Sequence, residues 1–390
     1  MTDSLFSANT PQAIWQVQKP ILPELWEAAI TQALPKLGLE AQTLETALKL
    51  SLGEGQFGED HWQFSFPKRA YYLLKPILPR SLTRIMRKAY SGSIEADFSL
   101  GWPIEDRYAH FLWECIRQVL LQTGEKSLPF LNFWPEDYQS GFILTHDIES
   151  ADGQAFASRV ADLEREYGFL SSFNFIPERY PLDMGLIADL RNRGFEIGVH
   201  GLHHDGKLFF SRKAFDRRAE RINHYVKKLN ASGFRAPLTH RNPNWMQSLD
   251  VDYDLSFFDT DPYEPIPGGT MSLWPFFIGN FLELPYTLPQ DYTLVNILHA
   301  EDPKLWLDKA DFLHKYHGML LLNTHPDYLK QTENWKVYED FLKEMSSRRS
   351  SFCHALPHQA ANWWRSRQTP DSTARIVHAV LQDDTIVIEN

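Results

Sequence analysis

Two histidines that stand four residues apart are the residues whose spacing points most directly to chemistry. They are His200 and His204, in the segment EIGVHGLHHDG at 196–206. Residues four apart on a helical turn share one face, so this spacing predicts two imidazoles directed at one point. Catalytic zinc is commonly held by two histidines and a carboxylate, with a water in the remaining position. His203 is the alternative partner for His200 in such a pair.

The carboxylate that would complete a metal site is expected from the apolar segment GFILTHD at 141–147, which ends in Asp147. Glu149, two residues further on, is the second choice. The sequence therefore predicts a divalent metal, expected to be zinc, bound by Asp147, His200 and His204. Bound zinc lowers the pKa of its water to about 7 and polarises a carbonyl oxygen, which suits attack on an amide or ester carbon.

Polar residues that follow other apolar segments would complete such a reaction. His325 is the candidate general acid for the leaving amine, because histidine titrates near neutrality. Arg235 would orient a carboxylate or stabilise negative charge, and Asp259 and Asp261 would tune His325 or hold substrate. Structural roles stay open for all of them: a strand-end histidine, a plain ion pair, and a turn cap for either aspartate.

Seven short apolar or β-branched segments alternate with amphipathic helical patterns from about residue 141 onward. The segments are 141–147, 169–176, 195–201, 233–237, 255–260, 281–287 and 318–325. Such alternation predicts parallel strands joined by crossover helices. Several strands end in polar residues, as in barrels, where function gathers at the carboxyl ends. We therefore predict an α/β fold, a distorted seven-stranded parallel (β/α) barrel. An open doubly wound sheet is the alternative, but no glycine-rich phosphate fingerprint follows the first strand.

The rest of the sequence divides the chain into three predicted regions. Residues 1–135 form an N-terminal accessory region, mostly helical, with one clear helix at about 106–122. Residues 136–350 form the barrel. Residues 351–390 form a C-terminal tail with a short hairpin, because ARIVHAV and DDTIVIEN fit two strands around a turn at 382–383.

Composition and charge limit the classes of partner. The 390 residues carry a net charge of −11, which argues against nucleic acid, because phosphate binding needs a basic face. The segment 68–88 is basic and apolar, which suggests peripheral contact with an anionic membrane or, alternatively, an ordinary amphipathic segment docked on the main domain. The sequence has no run of about 18 apolar residues, so no transmembrane segment is expected. Without a recognisable signal peptide, a cytoplasmic location is expected.

Five short segments, in this order, resemble the motifs of the polysaccharide deacetylases, the nodulation-type family that includes chitin and peptidoglycan deacetylases. The segments are LTHD, HGLHH, FRAP, FFDTD and LLNTH, spread over about residues 139–345. The resemblance implies a distorted seven-stranded parallel barrel and a divalent metal held by an aspartate and two histidines. Those ligands would be Asp147, His200 and His204.

The same resemblance implies roles at the other motifs. Arg235 resembles the arginine of the third motif, and Asp259 or Asp261 resembles the aspartate of the fourth. His325 resembles the histidine that serves as general acid in the fifth.

One position departs from the family pattern. The first motif usually has two adjacent aspartates, of which the first is the general base, and here that position is His146. The base is therefore expected to be His146, Glu149 or neither. Adjacent residues on a strand face opposite sides, so His146 reaches a metal faced by Asp147 only if the strand ends or kinks there.

Taken together, the sequence predicts a metal-dependent hydrolase that removes an acyl group, expected to be acetyl, from an N-acylated sugar or related compound. Because no export signal is recognisable, an intracellular saccharide or small-molecule substrate is expected. Two alternatives stay open: hydrolysis of a non-sugar linear or cyclic amide on the same fold, as in the allantoinase-like branch, and a non-catalytic binding or scaffold protein with a residual site. The sequence does not predict the oligomeric state.

Overall fold

The computed structural model describes residues 4–59, 61–63, 98–369 and 371–389 of the chain. The basic segment 68–88 lies outside these residues, so the expected membrane contact stays a prediction. None of the described helices is both long enough and apolar enough to cross a membrane.

The described elements are short, and most of them alternate between helix and strand. The α-helices are α1 (Pro11–Trp15), α2 (Pro23–Ala33), α3 (Leu44–Leu50), α4 (Arg107–Thr123), α5 (Ala151–Glu166), α6 (Met184–Asn192), α7 (Arg212–Lys228), α8 (Pro243–Met246), α9 (Lys304–Lys315), α10 (Pro326–Leu329), α11 (Thr332–Ser347) and α12 (Pro357–Ser366). Three 3₁₀ turns (Leu34–Leu37, Gly55–Phe57, Pro237–Thr239) and a π-helical turn (Tyr292–Ile297) accompany them. The strands are β1 (Ser127–Leu131), β2 (Ser140–Ile148), β3 (Ser172–Phe175), β4 (Glu196–His200), β5 (Gly233–Arg235), β6 (Tyr253–Asp254), β7 (Phe276–Ile278), β8 (Phe281–Glu283), β9 (Met319–Thr324), β10 (Phe352–His354), β11 (Ile376–Gln382) and β12 (Thr385–Glu389).

Seven parallel strands curl into the predicted barrel. They lie side by side in the order β9, β2, β3, β4, β5, β6, β8, each parallel to the next. Beyond β8 the chain runs on to Leu288, which forms a parallel bridge to Leu322 of β9 and so brings the last strand back to the first. Two short strands add to this sheet: β10 lies parallel to the start of β2, and β7 forms an antiparallel hairpin with β8. The predicted α/β fold, a distorted seven-stranded parallel barrel, is confirmed.

The helices around the barrel follow the apolar stripes of the sequence. In α7 the hydroxyl of Ser211 accepts a hydrogen bond from the backbone N–H of Ala214 at 3.2 Å and caps the helix. Phe215, Ile222 and Val226 are buried on the inner face, while most charged residues lie outward, as expected for a helix that covers a sheet.

One predicted strand lies earlier than expected. The segment 255–260 was predicted as the fifth strand, but β6 covers Tyr253–Asp254 and only residue 258 makes a further parallel bridge. The side chain of Asp254 accepts hydrogen bonds from the backbone N–H and the hydroxyl of Ser256, at 3.0 and 2.8 Å. Such local bonds compete with a strand ladder, which explains why β6 is short.

A second, three-stranded sheet joins the strand that precedes the barrel to the C-terminal hairpin. β11 pairs with β12 in the predicted C-terminal hairpin and with β1 on its other side, both antiparallel. The hairpin turn lies at Asp383 and Asp384, both with positive φ, one residue later than predicted. Because β1 belongs to the predicted region 1–135, the two terminal regions share this sheet. The boundaries at 135 and 350 stay predictions.

Candidate active site

Two imidazoles lie next to each other at the carboxyl end of β4. His200 is the last residue of the strand, and its ring centroid is 5.2 Å from that of His204. The helical turn expected from their spacing is wrong, because 201–206 form a bent loop in which Gly201 and His204 have left-handed φ of 63° and 52°. A Cβ at position 201 would lie 2.3 Å from Cγ of Pro237. A tight loop that requires glycine therefore brings the two rings together.

His200 anchors itself through one ring nitrogen and leaves the other for a ligand. Nδ1 donates to the carbonyl oxygen of Arg235 at 3.1 Å. Nε2 is buried and has no hydrogen-bond partner within the described part of the chain. Burial lowers the pKa of His200 to about 4, so the ring is neutral at pH 7. A neutral ring with a free Nε2 lone pair is what a metal-binding histidine requires.

Glu149, just beyond the end of β2, joins the two histidines. Its Oε1 lies 2.9 Å from Nε2 of His204, and one ligand atom from each of Glu149, His200 and His204 lies within 4.8 Å of the others. Burial would raise the pKa of Glu149, but the neighbouring imidazoles, His204 first, outweigh it and hold the pKa well below its usual range. The three residues, here called the metal trio, are placed to hold one metal ion.

Asp147 lies beside the metal trio, and other donors occupy its two oxygens. Oδ1 accepts from Nδ2 of Asn174 at 3.0 Å and Nη1 of Arg235 at 3.3 Å, and Oδ2 accepts from Nδ2 of Asn323 at 3.0 Å. Burial would raise its pKa, but the Arg235 guanidinium and the imidazoles of His200 and His325 together outweigh burial and hold the pKa well below the usual range. Its contact with His200, at 3.9 Å, is with Nδ1, the nitrogen that does not face a ligand. The structure thus groups Glu149, and not the predicted Asp147, with the histidines.

Arg235 holds the Asp147 carboxylate in position. Its guanidinium is fully buried and donates through Nε to the carbonyl oxygen of Leu255 at 2.7 Å. Nη1 donates to the hydroxyl of Thr145 at 2.9 Å, to Asp147 and to Oδ1 of Asn323. The structure therefore places the predicted arginine against a carboxylate of the site.

His325 follows β9 and faces Asp147 across the site. Its Nδ1 lies 2.7 Å from Oδ1 of Asp291, its backbone N–H donates to Oδ2 of the same carboxylate at 2.8 Å, and its Nε2 lies 4.0 Å from Oδ2 of Asp147. Burial would lower the pKa of His325, but the carboxylates, Asp291 first, raise it to about 10. The ring is therefore protonated at neutral pH and presents an N–H at Nε2.

The structure places His146, one of the candidates for the general base, away from the metal trio. Its Nδ1 lies 2.7 Å from the Thr324 hydroxyl and its Nε2 lies 2.7 Å from Oε1 of Glu164 in α5, and all three side chains are buried. β2 stays regular through Ile148, so His146 and Asp147 point to opposite faces. Both ring nitrogens therefore bond side chains in the layer between the barrel and the helices, on the face opposite to Asp147.

The two predicted strand-end aspartates lie apart from His325. Asp259 pairs with the buried ammonium of Lys309 at 2.7 Å, and burial raises its pKa to about 6. Asp261 accepts from the backbone N–H of Tyr263 at 2.7 Å, and burial raises its pKa well above the usual value. Asp291, rather than either aspartate, is the carboxylate that holds His325.

Sequence reasoning missed Asn174, Asn323 and Asp291. The two asparagines interrupt apolar strand segments, FNF and LLLNT, and are fully buried. A polar residue in such a strand was an available signal, because a buried amide needs partners. Asp291 precedes a π-helical turn in a stretch without strand or helix periodicity, so no pattern indicated it.

Comparisons with known proteins found similarity to solved structures. One is a probable polysaccharide deacetylase from Pseudomonas aeruginosa PAO1, 13% identical, with a TM-score of 0.49 over 61% of this chain and 95% of that chain. Another is Puue allantoinase, 15% identical, with a TM-score of 0.49 over 60% of this chain and 93% of that one. No protein-family model and no curated protein matches the sequence. The first of these structures carries the name of the family that the five motifs resemble.

Proposed function

We propose that this chain is a metal-dependent hydrolase that removes an acyl group, acetyl in the first instance, from an N-acylated sugar or related compound. The observation that carries the proposal is the pair Asp147 and His325, 4.0 Å apart, whose pKa values are shifted in opposite directions beside the metal trio. Pairs of titratable groups with pKa values driven apart are the mark of acid and base assignments.

The metal trio fits a divalent ion by the nature of its donors. Two imidazoles and one carboxylate form a common catalytic zinc set, and the buried Nε2 of His200 otherwise lacks a partner within the described residues. We therefore assign Glu149 as the carboxylate ligand in place of Asp147. A divalent ion held there would polarise the acyl carbonyl and lower the pKa of a water in the site.

Asp147 takes the role of general base in this proposal. Arg235 and the two asparagines keep its carboxylate ionised and fixed in direction. Each carboxylate oxygen has two lone-pair sites, and Oδ2 accepts from Asn323 through one of them, so the other can accept the proton of the attacking water. His146, which the sequence suggested as the base, is not needed for this step.

His325 takes the role of general acid. Asp291 holds the ring protonated and aims Nε2 into the site. The imidazolium can therefore donate its proton to the leaving amine as the carbon–nitrogen bond breaks. The substrate class follows from the resemblance of the five sequence motifs to the polysaccharide deacetylases, and a saccharide or small molecule is proposed as the partner.

The test uses the zinc-loaded chain and a screen of N-acetylated sugars for released acetate, with ammonia release from linear primary amides and ring opening of cyclic amides measured in parallel. Glu149→Gln is expected to lose zinc, whereas Asp147→Asn is expected to keep one zinc per chain and to lose ~10²–10⁴-fold in kcat. His203→Asn is the control, because His203 pairs with Glu178 at 3.5 Å outside the metal trio, and it should keep its zinc.

Three outcomes would count against the proposal. Zinc loss in Asp147→Asn together with zinc retention in Glu149→Gln would return the ligand role to Asp147, as the sequence first suggested. Ammonia release or ring opening without acetate release would replace the acyl-sugar substrate by a non-sugar amide. A parent chain that shows neither zinc binding nor turnover would favour a non-catalytic binding protein.

A further inference from the structure

A buried polar network lies on the outer face of the barrel, on the side of the strands opposite to Asp147 and His325. His146 of β2 joins the hydroxyl of Thr324 in β9 and Oε1 of Glu164 in α5, each at 2.7 Å. Glu164 also accepts from the hydroxyls of Ser171 and Tyr338, both at 2.5 Å. Every member is buried, so this network connects two barrel strands to the helices outside them without contact with solvent.

The register of the strands places this network directly behind the site. His146 and Thr324 stand opposite each other in the parallel ladder of β2 and β9. The next residue along each strand turns to the interior, and these residues are Asp147 and His325. The bond between His146 and Thr324 thus joins the two backbone positions that immediately precede the proposed base and the proposed acid.

We infer that His146 is a positioning residue, which fixes the distance and orientation between Asp147 and His325 by holding the ends of β2 and β9 together. This inference rests on the proposed function. The reaction rate is sensitive to the placement of the reacting groups, since a misplacement of about 1 Å can lower the rate about 10²-fold. Glu164 is itself fixed in position. Its Oε2 accepts a hydrogen bond from the Ser171 hydroxyl, and its Oε1, which bonds His146, also accepts one from the Tyr338 hydroxyl.

The test compares Thr324→Val, which removes the hydroxyl and keeps the shape, with Thr324→Ser, which keeps the hydroxyl. We expect Thr324→Val to lower kcat by about 10–100-fold, with KM and zinc content unchanged, and Thr324→Ser to retain the kcat of the parent. His146→Gln should lower kcat in the same way. Combining it with Thr324→Val should lower kcat no further than His146→Gln alone, because the bond that Thr324→Val removes is already lost in that variant.

Ser140→Ala is the matched control. Ser140 is buried at the other end of β2 and bonds Nδ1 of His314 at 2.9 Å, so this variant removes one partly buried hydrogen bond from the same strand, at the end away from the site. It should lower Tm and leave kcat unchanged. If Thr324→Val behaves like Ser140→Ala, the network is structural only and the inference fails.

A second measurement separates this inference from the proposed function. Should the parent chain show no turnover, crystal structures of the parent and of Thr324→Val decide the matter. A separation between Nε2 of His325 and Oδ2 of Asp147 that grows beyond 4.0 Å supports positioning, and an unchanged separation overturns it.

Discussion

Asp291→Asn is expected to move the alkaline limit of activity to lower pH. Asp291 accepts two bonds from His325, from Nδ1 at 2.7 Å and from the backbone N–H at 2.8 Å. An asparagine oxygen can still accept a hydrogen bond from this residue, so the ring keeps much of its orientation. The substitution removes the negative charge that favours the imidazolium.

The magnitude follows from the pKa of His325. The rise from 6.5 to about 10 corresponds to roughly 5 kcal/mol in favour of the protonated ring, at 1.36 kcal/mol for each pKa unit. Asp291 is the first of the groups that raise the pKa, and burial opposes them. Without its charge, the pKa of His325 falls towards or below its ordinary value, and the ring loses its proton near neutral pH.

The assay is kcat/KM against pH for the zinc-loaded parent and Asp291→Asn. Because only the protonated ring donates a proton, activity is present below the pKa of His325 and is lost as pH rises through it. Bound zinc disfavours the imidazolium in parent and variant alike, so the prediction concerns the difference between them: the variant should lose activity at a pH lower than the parent by one unit or more. Asp261→Asn is the control, and its alkaline limit should match the parent. Superimposed alkaline limits for parent and Asp291→Asn would refute the role of His325 as acid, and a shift in Asp261→Asn would restore the sequence prediction that Asp261 tunes His325.

Three further predictions concern buried charges outside the site, each measured by urea unfolding. Arg367→Met removes the donor to three backbone carbonyl oxygens and should destabilise the fold by about 3 kcal/mol; an unchanged midpoint would contradict this. Glu54→Gln breaks the buried pair with Arg241, at a cost of about 3–5 kcal/mol. Burial alone would raise the pKa of Glu54, but the charged partners, Arg241 first, lower it to about 2. The parent should therefore lose this stabilisation as pH falls below about 4, while the variant does not. Lys309→Met leaves Asp259 buried without its cation. Burial already raises the pKa of Asp259 to about 6 in the parent, and protonation removes the buried charge, so the variant should gain stability as pH falls from 7 to 4.

The barrel was predictable because its pattern depends on burial alone. Parallel strands covered on both faces are continuous apolar segments, and β2 and β9 are buried along their whole length. The crossover helices show one apolar stripe each, so their positions followed from residue spacing. Short strands such as β7 and β10 were missed, because three residues do not establish a period.

Side-chain partners were harder to predict than elements. His200 and His204 were found by their spacing, although a glycine-dependent loop, and not a helix, brings them together. Lys309 weakens the apolar stripe of α9 in the sequence, and the structure explains it by the pair with Asp259. Which acid faces which base depends on the closure of the barrel, and a linear pattern contains no information on that closure.

Strand geometry alone predicts that Asp147 and Glu149 share one face, but not how the roles divide between them. Side chains two apart on a strand share a face, so if the alternation of β2 continues one residue past its end at Ile148, Asp147 and Glu149 both point into the barrel and His146 points away. The sequence thus already offered two carboxylates on the site face, one for a metal and one for a proton. It offered no means to divide the roles, because Arg235 and the two asparagines that hold Asp147 come from β5, β3 and β9. The proposed mechanism does not need a second aspartate next to Asp147, since Glu149 supplies the second carboxylate from two residues further along the chain.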